Sequence, residues 1–97
     1  MLLRTAVIGV GHLGRQHARI HANLAAEGLS KFVAVCDTDE ETARTVSVEQ
    51  NTDSTSNWKE LIGRVDAVSL AVPTESHCEI GCGLLEAGIN VLVEKPI

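Results

Sequence analysis

Residues 7–17 read VIGVGHLGRQH, and the glycines at positions 9, 11 and 14 decide how the whole chain is read. A G-x-G-x-x-G pattern has meaning only when it follows a strand and opens a helix. Both conditions are met in the sequence. The apolar, β-branched run before Gly9 predicts a strand from Leu3 to Ile8. After Gly11 the apolar residues Leu13, Ile20 and Leu24 recur at helical spacing, with His17 on the same face, which predicts a helix from His12 to about Ala26 stopped by Gly28. Each glycine then has a physical task. Gly9 permits the tight turn, Gly11 leaves room for a pyrophosphate to approach the backbone, and Gly14 lets the helix lie close to the strand. The free amides of the first helical turn, at His12 and Leu13, would face the phosphates, aided by the helix dipole.

Further along, KFVAVC (residues 31–36) predicts a second buried strand that ends at Asp37. The separation from Gly14 is 37 − 14 = 23 residues, close to the roughly 20 expected of the acid that binds the adenosine ribose. A carboxylate there accepts hydrogen bonds from both ribose hydroxyls and repels a 2′-phosphate. The stretch CDTDE, residues 36–40, has no arginine beside Asp37, so NAD is favoured over NADP. The plainer reading, in which Asp37 only starts a loop, stays open at this point. Asp39 is placed to cap a helix running from Glu40 towards Val48.

The segment EQNTDSTS, residues 49–56, is polar and reads as turns. Asn57 followed by Glu60 predicts a capped helical turn in NWKELIG, with Trp58 as its anchor. DAVSLAV (66–72) reads as a strand, Glu75 to Ala87 as a helix with Ile80, Leu84 and Leu85 inward and Gly88 as its stop, and NVLVE (90–94) as the last strand. Strands apolar throughout need helices on both faces, so the fold class is α/β, a doubly wound parallel sheet. In such a sheet a ligand crosses the strand ends where the order reverses. That places Val72, Pro73 and Thr74 beside its path, His77 in the next helical turn, and Glu94 and Lys95 at the same edge as Gly11. Partial desolvation there would lower the pKa of Lys95 towards acid–base use; a plain surface charge is the alternative. A cis Lys95–Pro96 bond is a further expectation.

Bulk properties narrow the partners. With 44% hydrophobic and 22% charged residues the chain has the composition of a globular domain, and ninety-seven residues make one small domain at most. A net charge of −5 without a basic cluster argues against nucleic acid and against an anionic membrane surface. The apolar runs are strand-length, and no secretory leader is evident. Three cysteines, Cys36, Cys78 and Cys82, form no C-x-x-C pair, which fits a reduced, cytoplasmic chain. The His17/His21 and Cys78/Cys82 spacings lack further ligands in sequence, so no metal is expected. Arg15 and Arg19 read as solvated, with a phosphate contact as the alternative for Arg15.

Taken together, VIGVGHLGRQH, VCD, AVPTESH and LLEAGINVLVEKP resemble the N-terminal half of the Gfo/Idh/MocA oxidoreductases, from about Ala6 to Pro96. The EKP strand end is the more specific part of that resemblance. It implies a Rossmann-type domain over residues 1–97, incomplete in that the family's second, substrate-binding domain is not encoded here. It implies Lys95 as the catalytic lysine beside a reacting hydroxyl, Glu94 and Pro96 around the nicotinamide ribose, and His77 as the family's histidine after its T-P turn. It also implies a sugar or cyclitol substrate and a homo-oligomer at full length. Two positions depart from the pattern: Val72 precedes Pro73 where threonine is common, and Asn90 stands for a histidine or lysine. A non-catalytic nucleotide sensor and a methyltransferase remain as competing readings.

Overall fold

The computed structural model describes residues 3–71 and 74–93, the side chains of residues 12, 13, 74–78 and 93 excepted. Along the chain run β1 (Leu3–Ile8), α1 (His12–Ala26), β2 (Ser30–Cys36), α2 (Glu40–Gln50), β3 (Asp53–Thr55), a 3-10 helix (Trp58–Leu61), β4 (Ala67–Leu70), α3 (Thr74–Glu86) and β5 (Asn90–Val93). The five strands form one parallel sheet in the order β3-β2-β1-β4-β5. The doubly wound expectation is met.

Parallel neighbours need crossovers, and the helices that make them cover the sheet. Alternation along the strands divides the core in two. Ala6, Ile8, Ala34, Cys36, Val68 and Leu70 pack with Leu61 and Leu84 on one face. Val7, Val10 and Val35 pack with Ala18 of α1 and Val46 of α2 on the other. Each fully buried leucine or valine contributes about 2 kcal/mol. At the carboxyl edge the strands end level: Ile8 pairs with Cys36 and with Leu70, and Leu70 pairs with Val93. The edge that β1 and β4 share is therefore continuous with the end of β5.

Three expectations need correction. First, EQNTDSTS contains the strand β3, which pairs Ala34 with Asp53 through Cys36 with Thr55. A three-residue edge strand with no apolar side chain carries no period to read; Thr52 Oγ1 donating to the Phe32 carbonyl at 3.0 Å helps to hold it. Second, α1 does not rest on its leucine stripe, since Ile20 and Leu24 are 53% and 37% exposed. The neighbouring stripe faces the sheet: Gly14 and Ala18 are buried and His21 is half-buried. Small residues win there because they let the helix come close. His21 stacks on Phe32 with ring centroids 5.7 Å apart and meets Ser69 Oγ at 2.8 Å through Nε2. Burial, with a smaller contribution from His17, lowers its pKa. Third, Leu85 is exposed, and only Leu84 and Ile80 of the predicted trio turn inward.

Candidate functional site: the glycine turn and its acid

The end of β1 meets the end of β2 through two contacts. Gly9 takes φ +87°, a conformation that suits glycine, and its N–H donates to the Cys36 carbonyl at 2.7 Å. One residue on, the Val10 N–H donates to Asp37 Oδ2 at 3.0 Å. The other carboxylate oxygen of Asp37 accepts from the Asp39 N–H at 2.9 Å. On the opposite side of β1, the Ala71 N–H donates to the Ile8 carbonyl at 2.8 Å and closes the turn against β4.

Gly11 then serves as the N-cap of α1, and among the described residues no side chain caps the helix. A β-carbon on Gly11 would meet no described atom within 4 Å beyond its chain neighbours. A β-carbon on Gly14 would stand 1.6 Å from the Gly9 carbonyl oxygen. The two glycines thus differ: Gly14 packs helix against turn, whereas Gly11 faces open space among the described residues. The first helical bond is Arg15 N–H to Gly11 carbonyl, so the backbone amides of His12, Leu13 and Gly14 keep no intrahelical acceptor. No acid stands in that first turn to offset the dipole.

In front of this turn lies a cavity of about 350 Å³, lined by Ile8, Gly9, Gly11 and Asp37 on one side and by Ser56, Trp58 and Ile80 on the other. Among the described residues lining it there is no cation and one carboxylate, Asp37. Cys36 also contributes, but burial, then the carboxylates of Asp37 and Glu60, push its thiol up to about 12. A thiol held that high is neutral and no nucleophile. A larger hollow, about 450 Å³, opens at the amino edge of the sheet beside Arg4, Lys31 and Arg64. It is wide open, and Arg4 and Arg64 there are already paired with Asp66 and Asp53 at 3.0 and 3.4 Å. The smaller cavity is the one that brings Gly9 and Gly11 of the turn together with Asp37.

A family model described as an oxidoreductase family with an NAD-binding Rossmann fold matches residues 3–97. The chain belongs to the Gfo/Idh/MocA oxidoreductases. Among Gfo/Idh/MocA relatives, it is 38% identical over 94 residues to a UDP-N-acetylglucosamine 3-dehydrogenase of Acidithiobacillus ferrooxidans, covering 97% of the chain and 28% of the relative. A solved structure of that enzyme superposes with a TM-score of 0.87 over 99% of the chain and 30% of the enzyme. Inositol 2-dehydrogenase 1 of Saccharopolyspora erythraea is 35% identical over 101 residues, 100% of the chain and 29% of that protein. GenD2 from gentamicin A biosynthesis, solved in complex with NAD, superposes with a TM-score of 0.88 at 32% identity, covering 98% of the chain and 27% of GenD2. The chain therefore spans less than a third of the length of these relatives.

Of the predicted site residues, Gly9, Gly11, Gly14 and Asp37 come together at the cavity or its turn, and the backbone of His12 and Leu13 opens α1 beside them. Thr74 and His77 fall in the opening of α3, which starts at the carboxyl edge after β4. Val72, Pro73, Glu94, Lys95 and Pro96, with the Lys95–Pro96 bond, lie outside the described residues. Ser56, Thr38 and Ile80 also line the cavity, and Trp58 does so besides anchoring its helix. Sequence reasoning missed these roles because it missed β3: once that strand is placed, Ser56 and Trp58 follow its carboxyl end and reach the same edge. The distal rings of Trp58 also explain Gly83, where a β-carbon would lie 2.3 Å from the indole. Arg15 is exposed, as expected, and forms a surface ion pair with Glu49 of α2 at 3.4 Å.

Proposed function

We propose that this chain is the dinucleotide-binding domain of an NAD-dependent dehydrogenase acting at a hydroxyl-bearing carbon of a sugar or cyclitol. The observation that carries the reading is the uncapped start of α1 opening beside a cavity whose one carboxylate among the described lining residues is Asp37. The unmet amides of residues 12–14 suit a pyrophosphate, and Asp37 suits two ribose hydroxyls. The lack of a cation among the described lining residues favours NAD over its 2′-phosphorylated form. Trp58 and Ile80 offer apolar walls to the adenosine end. Bound there, the nicotinamide would accept or donate hydride. The dehydrogenases named among the relatives support a sugar or cyclitol alcohol as the partner of that hydride.

The rest of the site is assigned on the family resemblance. Lys95 moves or stabilises the hydroxyl proton, while Val72, Pro73, Thr74, His77, Glu94 and Pro96 border the nicotinamide half. The level ends of β1, β4 and β5 support that assignment, since each strand exits at one edge. The remaining length seen in the relatives would supply the substrate domain, in a protein that works as a homo-oligomer.

Two experiments divide this reading from a non-catalytic sensor. In a full-length protein, Lys95→Ala should abolish turnover of sugar or cyclitol substrates while leaving NAD affinity within about threefold, because the lysine acts on the hydroxyl and not on the pyrophosphate. Tight NAD binding with no turnover by the parent protein across such substrates would favour the sensor. Trp58, the one tryptophan of these 97 residues, lies in the cavity, and its fluorescence reads occupancy in this chain.

A further inference from the structure

Asp37 is bound on both sides before any ligand arrives. Oδ2 accepts the Val10 N–H at 3.0 Å and Oδ1 accepts the Asp39 N–H at 2.9 Å. Val10 is the residue between the first two glycines of the turn and is itself 1% exposed. Asp39 in turn caps α2, its side chain accepting from the N–H groups of Glu41 and Thr42. The carboxylate therefore joins the glycine turn to the head of α2, and each oxygen keeps a lone pair for a ribose hydroxyl.

We infer that Asp37 is a positioning residue for the pyrophosphate, holding the glycine turn in its binding form, besides recognising the ribose. Both bonds need an acceptor, and only a carboxylate presents acceptors at both oxygens. Asparagine would turn an amide donor towards either Val10 or Asp39 and lose one of the two. A substitution at residue 37 intended to admit a 2′-phosphate would then also loosen the grip on the diphosphate. Choice of dinucleotide and strength of binding are coupled through one side chain.

This inference rests on the proposed dinucleotide site for its ligand arm, and a ligand-free arm tests it separately. With Asp37→Asn, amide hydrogen exchange at Val10 or Asp39 should quicken by about tenfold, the scale of a lost charge-assisted hydrogen bond, while exchange at Val7 and Val35 in the core stays unchanged. Unchanged exchange at both Val10 and Asp39 would overturn the proposal. Faster exchange throughout, core included, would show that the bonds hold the fold and not the turn, and would overturn it as well. For the ligand arm, NAD and 2′,3′-dideoxyadenosine diphosphate, which keeps the diphosphate and lacks both hydroxyls, are titrated against parent and Asp37→Asn protein. Affinity for both should fall in the variant. A loss confined to NAD would mean that Asp37 serves the ribose alone. Failure of the parent to bind either ligand would defeat the dinucleotide reading and leave the exchange result to decide the clamp.

Discussion

The two helices that follow β1 and β2 begin in opposite ways. Helix α2 meets its own needs: Asp39 accepts from the N–H groups of Glu41 and Thr42 and from the Thr42 hydroxyl, and Glu40 and Glu41 face the dipole. Helix α1 begins at a glycine with no capping side chain and no acid in its first turn. Leaving three amides without acceptors costs stability that any serine or aspartate at residue 11 would recover in part. The chain gives up that stability at a helix start that opens beside the cavity holding Asp37. On the proposed reading, stability and binding are divided between two helix heads that are joined by the Asp37 carboxylate.

Substitutions can break this division, beginning with the most damaging. Gly14→Ala forces a β-carbon to within 1.6 Å of the Gly9 carbonyl oxygen, so α1 must lift from the turn. A loss of about 3 kcal/mol in denaturant unfolding is expected, together with cofactor binding. Gly11→Ala meets no such clash among the described residues, and its φ of −69° lies outside the left-handed region that favours glycine. Its stability should stay within about 1 kcal/mol of the parent while NAD affinity drops at least about tenfold, because the methyl group intrudes where the diphosphate approaches. Equal damage to stability from both alanines would erase the distinction between the packing glycine and the binding glycine.

At the other helix head, Asp39→Ala should lower the melting temperature by less than Gly14→Ala does and leave the amides of α1 untouched. The smallest effect is one of pH. Hydrogen bonds from Thr42, side chain then backbone, hold the Asp39 carboxyl below its ordinary value of 3.8. A depressed folded-state pKa adds stability that is present above the unfolded value and lost as pH falls through the folded one. The parent should therefore lose more stability than Asp39→Ala on acidification below about pH 4. A parallel decline of the two proteins would show that the cap contributes nothing through its charge.

Legibility in the sequence followed the same division. The strand and helix bounds around the glycine turn could be read because turn chemistry, helix spacing and the distance to Asp37 all agree. What escaped was set by packing between distant parts. The apolar stripe of Leu13, Ile20 and Leu24 was visible, yet close approach to the sheet selected Gly14 and Ala18 instead. Strand β3 has only Asp53, Ser54 and Thr55, so its pairing with β2 leaves no apolar signature. Without it, Ser56 and Trp58 could not be placed at the cavity. The two hydrogen bonds that Asp37 accepts from the Val10 and Asp39 amides were equally hidden, since backbone donors have no letter in the sequence.

The most direct measurement is a backbone amide titration by NMR with NAD. The amides of residues 12–14 and of Asp37 should shift most strongly, with those of Glu41 and Thr42 at the capped head of α2 changing little. Dominant shifts at the amino edge, around Arg4, Lys31 and Arg64, with none at residues 12–14, would contradict the account.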